Sequence, residues 1–330
     1  MTEFWNADYY IFITRYIRNM SDQGVFNECI QCIKAAYTNL KCPNIVIISD
    51  NEVANEVSNE VANEVSNEVA NEVSNEVANE VANEVANEVA NEVANISFKT
   101  NNFENKNLHK SVSEIENNVQ RICSGLRYKL LFSEYPGAGE ILRLYYFHKY
   151  VTNPKAIVIS IHDSVFLHSY NYENIFNHGY EYFWTAIHDF DIPKNELPLV
   201  HKICPNLEHE YTNQRLWKLC FGQILTCTWN ALHDVQTLTN LLDIVKIISC
   251  YDDRVSTERI VGFAFDYTSR FSKHMKYNEY TSFGNLHVYH SMLFQCANLN
   301  SRYTNFNYTD YLNHKNAYNN IPAIKVWCGR

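Results

Sequence analysis

Residues 156–166 read AIVISIHDSVF, an uninterrupted apolar run that ends in the polar cluster His162-Asp163-Ser164. β-Branched residues without polar alternation predict a strand buried on both faces, the pattern of a parallel sheet covered by helices. Ligand sites in such sheets lie at the carboxyl ends of the strands, so His162, Asp163 and Ser164 are the first candidates for chemistry. A strand-end Asp can hold a divalent cation or a ribose hydroxyl; it can equally cap the turn that follows.

Working outward, residues 9–14 (YYIFIT), 44–49 (NIVIIS) and 128–132 (YKLLF) read as further strands, and residues 25–37 as an amphipathic helix. Residues 133–140, SEYPGAGE, supply a turn, and a helix from Gly137 to Tyr150 would lead back to the strand at 156. Alternating strands and helices predict an α/β sandwich with a mainly parallel sheet. Residues 216–242 and 257–271 read as helical, and the Asn- and Tyr-rich tail has no clear period. Asp50 closes the NIVIIS strand as Asp163 closes the AIVISI strand, which would place both carboxylates on one crevice. Gly137 and Gly139 permit close backbone approach there, and the helix N-terminus behind them would favour a phosphate; the same PGAG string also reads as an ordinary turn.

The 330 residues include eleven tandem copies of Asn-Glu-Val-Ala/Ser from Asn51 to Ala94. In a helix a four-residue period advances about 40° per copy, so the Val stripe winds round the axis and forms no fixed buried face. Each Glu also faces another Glu four residues on. The expectation is an exposed insertion at 51–95, disordered or partly helical, within a single domain of residues 1–50 and 96–330. The 11 Glu of the run account for the net charge of −10, leaving the rest of the chain at +1. That balance argues against a nucleic-acid partner.

The ten cysteines lie mostly in apolar segments with no secretory signal ahead of them, which predicts reduced thiols and a cytoplasmic chain. Cys29-x-x-Cys32 has metal or redox spacing but sits in a helical pattern with no second pair to answer it, so core packing is the expectation. No run is long enough for a membrane span.

The order NIVIISDN (44–51), SEYPGAGEILRLYYFHKY (133–150), KAIVISIHDSVF (155–166), WKLCFGQI (217–224), ERIVGFAF (258–265) and KVWCGR (325–330) resembles glycosyltransferase-like proteins of large DNA viruses and related microbes. These are similar to nucleotide-diphospho-sugar transferases of the GT-A type, and the likeness covers about residues 8–50 and 120–330. For a viral chain it implies the host cytoplasm. It also implies a GT-A-like sandwich whose second strand end, Asp50 and Asn51, helps bind a nucleotide-diphospho-sugar donor. His162-Asp163-Ser164 matches the acidic motif that contacts the diphosphate and a divalent metal. The wider superfamily carries Asp-x-Asp there, whereas this chain offers one carboxylate, Asp163. One carboxylate suffices for Mn²⁺ or Mg²⁺ when substrate phosphates and water complete the shell.

Sugar transfer to a hydroxyl acceptor by inversion also needs a carboxylate base. Asp189, Asp191 and Glu258 are the candidates, with Asp252 and Asp253 nearby, and no spacing singles one out. Glu258-Arg259 reads equally as helix-end electrostatics or a surface ion pair. Trp217 and Phe221 are expected in the core, and His287 and His290 as structural or surface residues. A catalytically silent binding or scaffold protein of the same fold, or an unrelated nucleotide-binding α/β protein, are the competing expectations.

Overall fold

The structure is a computed structural model that describes residues 3–17, 20–50, 112–188, 196–213, 217–277, 308–314 and 321–326. In chain order its strands and helices begin with β1 (Tyr9–Arg15), α1 (Met20–Ala36), β2 (Asn44–Ser49), α2 (Val112–Ile122), β3 (Tyr128–Phe132), α3 (Leu142–Tyr150), β4 (Ile157–His162) and β5 (Val165–Leu167). There follow α4 (Glu173–His178), β6 (Tyr180–Tyr182), β7 (Thr185–His188), α5 (Glu196–Ile203), α6 (Glu208–Thr212), β8 (Trp217–Cys220) and β9 (Leu225–Thr228). The last are α7 (Trp229–Thr239), α8 (Tyr251–Thr268), α9 (Tyr308–His314) and β10 (Ala323–Lys325).

Six strands form the central sheet in the order β3-β2-β1-β4-β9-β6. β3, β2, β1 and β4 run parallel, while β9 pairs antiparallel with both β4 and β6. The apolar runs lack polar alternation because both faces are covered. Tyr10, Phe12, Val46, Ile48 and Val158 pack on the side of α3, α7 and α8. Ile11, Ile13, Ile45, Ile47, Ile157, Ile159 and Ile161 pack on the side of α1 and α2. Successive strand residues thus feed opposite cores, each buried side chain contributing about 1.5–3 kcal/mol. Cys29 and Cys32 are buried in α1 within the second core, and burial pushes the Cys29 thiol well above its ordinary value.

Residues 216–242 differ from their helical expectation. WKLC and LTCT are strands, Trp229–Thr239 is α-helical, and short 3-10 turns occupy Phe221–Gln223 and begin again at Leu241. Four-residue stretches such as WKLC and LTCT are too short for a period to separate the two states. Here the pairing partners of β8 and β9 lie far away in sequence, and Gly222, at φ 58°, breaks the chain between them. The helix expected from Gly137 begins as a short 3-10 turn at Gly139–Ile141. Among the described residues no helix is long and apolar enough to cross a membrane. The tandem repeat lies outside the described residues.

Candidate functional site

From β1 the chain steps outward to β2 and β3, then returns to lay β4 on the other side of β1. Crevices in open α/β sheets form where the order reverses in this way, beyond the carboxyl ends of the strands. A cavity of about 240 Å³ lies there. Asp50, Gly139, His162, Asp163, Ser164 and Glu258 all line it, joined by Thr14, Tyr16, Glu140, Phe221, Tyr251, Arg254 and Lys325. A second cavity, of about 460 Å³ and lined by Lys155, Phe176, Lys273 and Lys276, gathers none of the sequence candidates.

Asp50 follows β2 and is buried. Its carboxylate accepts the N–H of Gly137 at 2.9 Å and of Gly139 at 3.1 Å. The two amides that the PGAG turn would offer to a phosphate are taken, in this arrangement, by the chain's own Asp50. Burial pushes the Asp50 carboxyl up to about 6 against the opposing pull of those amides, and Glu140 adds to the rise. Gly139 has φ 68°, and a Cβ there would lie 2.2 Å from Arg254 Cδ. The glycine is therefore required twice, by its backbone and by the arginine that crosses it.

Asp163 continues the β1–β4 pairing through its N–H to the Thr14 carbonyl, and its Oδ2 accepts the Tyr16 N–H at 3.0 Å. His162 Nε2 lies 2.6 Å from the Gly222 carbonyl, which can only accept, so Nε2 carries the proton. Its Nδ1 then faces Glu140 Oε1 at 3.8 Å. Ser164 Oγ accepts a hydrogen bond from the Lys325 ammonium.

Glu258 sits in the middle of α8, neither at a helix end nor in a surface ion pair; the partner of Arg259 is Glu196. Glu258 Oε1 accepts the Gly222 N–H at 2.7 Å. Burial pushes its carboxyl up to about 7, with Glu140 reinforcing the rise and the Gly222 amide, Arg259 and Lys325 opposing it.

Arg143, fully buried, was marked by no motif. Its Nε donates to Ser160 Oγ at 2.8 Å and its Nη1 to Thr14 Oγ1 at 3.0 Å. Nη2 donates to the carbonyls of Gly222 at 2.7 Å and Gln223 at 3.1 Å. Burial lowers its pKa to about 10, with Glu140 the foremost group opposing the fall, so it remains a fixed cation at neutral pH. The sequence carries a partial signal: Thr14 and Ser160 are hydroxyl residues within largely apolar strands, and Arg143 falls between Leu142 and Leu144. No known protein family, characterised protein or solved structure matches this chain.

Asn51, Asp189, Asp191, His287 and His290 lie outside the described residues, as does the side chain of Trp217. Asp253 accepts hydrogen bonds from Ser249 before the first turn of α8, and Asp252 is exposed. Phe221 packs partly buried against the second core, as the sequence has it, and also lines the cavity.

The corner expected to hold Mn²⁺ or Mg²⁺ fits such an ion poorly. The Lys325 ammonium sits on Ser164 beside Asp163, and the Tyr16 amide engages one Asp163 oxygen. Among the described residues no group of three or more His, Cys, Asp or Glu is placed to hold a metal.

Proposed function

We propose that the cavity binds a nucleotide-diphospho-sugar and transfers its sugar to a hydroxyl acceptor, in a sandwich of GT-A type. The observation that carries this reading is the convergence of Asp50, His162, Asp163, Ser164 and Glu258 at the point where the strand order reverses. Glu258 suits the base. A carboxyl near 7 is poised to exchange a proton at neutral pH, and its position on a cavity wall gives it access to an acceptor. In the transfer, the acceptor oxygen forms a bond to the anomeric carbon while the bond from that carbon to the diphosphate oxygen breaks. The electron pair leaves with the diphosphate, and the acceptor proton passes to Glu258. At about 240 Å³ the enclosed space is below the ~300 Å³ of typical ligand pockets, so it suits the sugar or diphosphate portion of the donor rather than the whole.

Isothermal titration with UDP, GDP and their sugars, each with and without Mn²⁺, tests the binding half. At least one should bind. Binding to none would refute the proposal. Release of free sugar or nucleoside diphosphate on prolonged incubation separates an enzyme from a silent binding protein of the same fold.

A further inference from the structure

Lys325 reaches the cavity from β10, whose antiparallel pairing with β5 sets it opposite Val165, one residue past Ser164. Arg254 comes from the N-terminal part of α8; its guanidinium lies 5.2 Å over the Tyr251 ring and its Nε 3.8 Å from Glu140. The two cations thus enter one small space from separate elements.

Three of the carboxylates that share this space, Asp50, Asp163 and Glu258, accept backbone amides, and the fourth, Glu140, faces the Arg254 guanidinium. The fixed charge of Arg143 acts on Glu140, Asp163 and Glu258 together. An anion entering the cavity therefore meets carboxylates already partly offset and two cationic side chains on the walls.

We infer that Arg254 and Lys325 hold the diphosphate of the donor and supply the positive charge that the sequence assigns to a divalent ion at Asp163. The inference rests on the nucleotide-sugar reading of the cavity. Its chemical basis is general: a leaving diphosphate is stabilised by any preorganised cation, and Arg and Lys both serve in such clamps.

The test titrates the full-length chain with inorganic pyrophosphate and with UDP and GDP, in EDTA and in Mn²⁺. Pyrophosphate should bind in EDTA, with Mn²⁺ changing its affinity less than about twofold. Arg254→Met and Lys325→Met should each weaken it about tenfold or more, the range of a hydrogen bond to a charged group. Lys325→Arg should retain binding within about threefold, and affinity should fall steadily with added salt. Thermal melts identify a variant that fails to fold, in which case Lys325→Arg and the salt series carry the result. Binding lost in EDTA and restored by Mn²⁺, or unchanged in both Met variants, would overturn the inference while leaving the transferase reading intact. Pyrophosphate binding with no response to any nucleotide or nucleotide sugar would keep the anion subsite and remove the transferase reading. No binding of either would remove both.

Discussion

Replacing Glu258 by Gln removes a titrating carboxyl but keeps an oxygen that can accept the Gly222 N–H. Raising a carboxyl from its ordinary 4.5 to about 7 corresponds to about 3 kcal/mol favouring the protonated form in the folded state. The sign follows from the direction of the shift. The contribution is fully present below pH 4.5 and is lost as pH rises through 7, because ionised Glu258 is less well solvated in the fold than in the unfolded chain. Asp50 is shifted in the same direction, so the wild-type curve alone does not isolate Glu258. The difference between wild type and Glu258→Gln does. Urea unfolding at pH 4.5, 6 and 8 should give equal stabilities at the lowest pH. At pH 8 the Gln variant should be the more stable by up to about 3 kcal/mol, with water in the cavity reducing the gap. A constant difference across pH, or a Gln variant less stable at pH 8, would refute the reasoning. Glu258 would then be an ordinary paired carboxylate and a poor base.

Two further outcomes follow from the geometry around it. Gly139→Ala forces a left-handed backbone on a residue with a Cβ and drives that Cβ into Arg254, so the chain should lose about 1–3 kcal/mol in urea unfolding; unchanged stability would contradict the placement of Arg254. Arg143→Met removes all four hydrogen bonds of a buried cation, although His162 Nε2 still donates to the Gly222 carbonyl and Ser160 Oγ to that of Gln223; it should destabilise by about 3 kcal/mol, whereas a loss under about 1 kcal/mol would mean that the buried guanidinium is dispensable.

Strands β2 and β3 were legible residue for residue, and β1 and β4 to within one residue: double-sided burial leaves β-branched or aromatic runs in β1, β2 and β4, and the half-buried edge strand β3 shows as a short apolar run bounded by turn residues. Asp50 and Asp163 were legible for a related reason: a carboxylate that ends such a run sits at a strand's carboxyl edge. The segment at 216–242 was not, since nothing local distinguishes a buried strand from a buried helix turn when the partners are β4, β6 and β7. Glu258 was named among several acids, and its surroundings alone separate it from Asp252 and Asp253.

By itself the sequence determined the layered α/β plan and the sheet edge on which polar groups gather, because backbone pairing and apolar burial act through short, regular patterns. Tertiary structure decided the chemistry of that edge. It turned the amides of the PGAG turn onto Asp50, and it lifted Glu258 towards 7 by burying it against Gly222. It also carried Lys325 across 161 residues to Ser164. Charge and solvation depend on which groups meet in space, and no local pattern in the chain encodes those meetings.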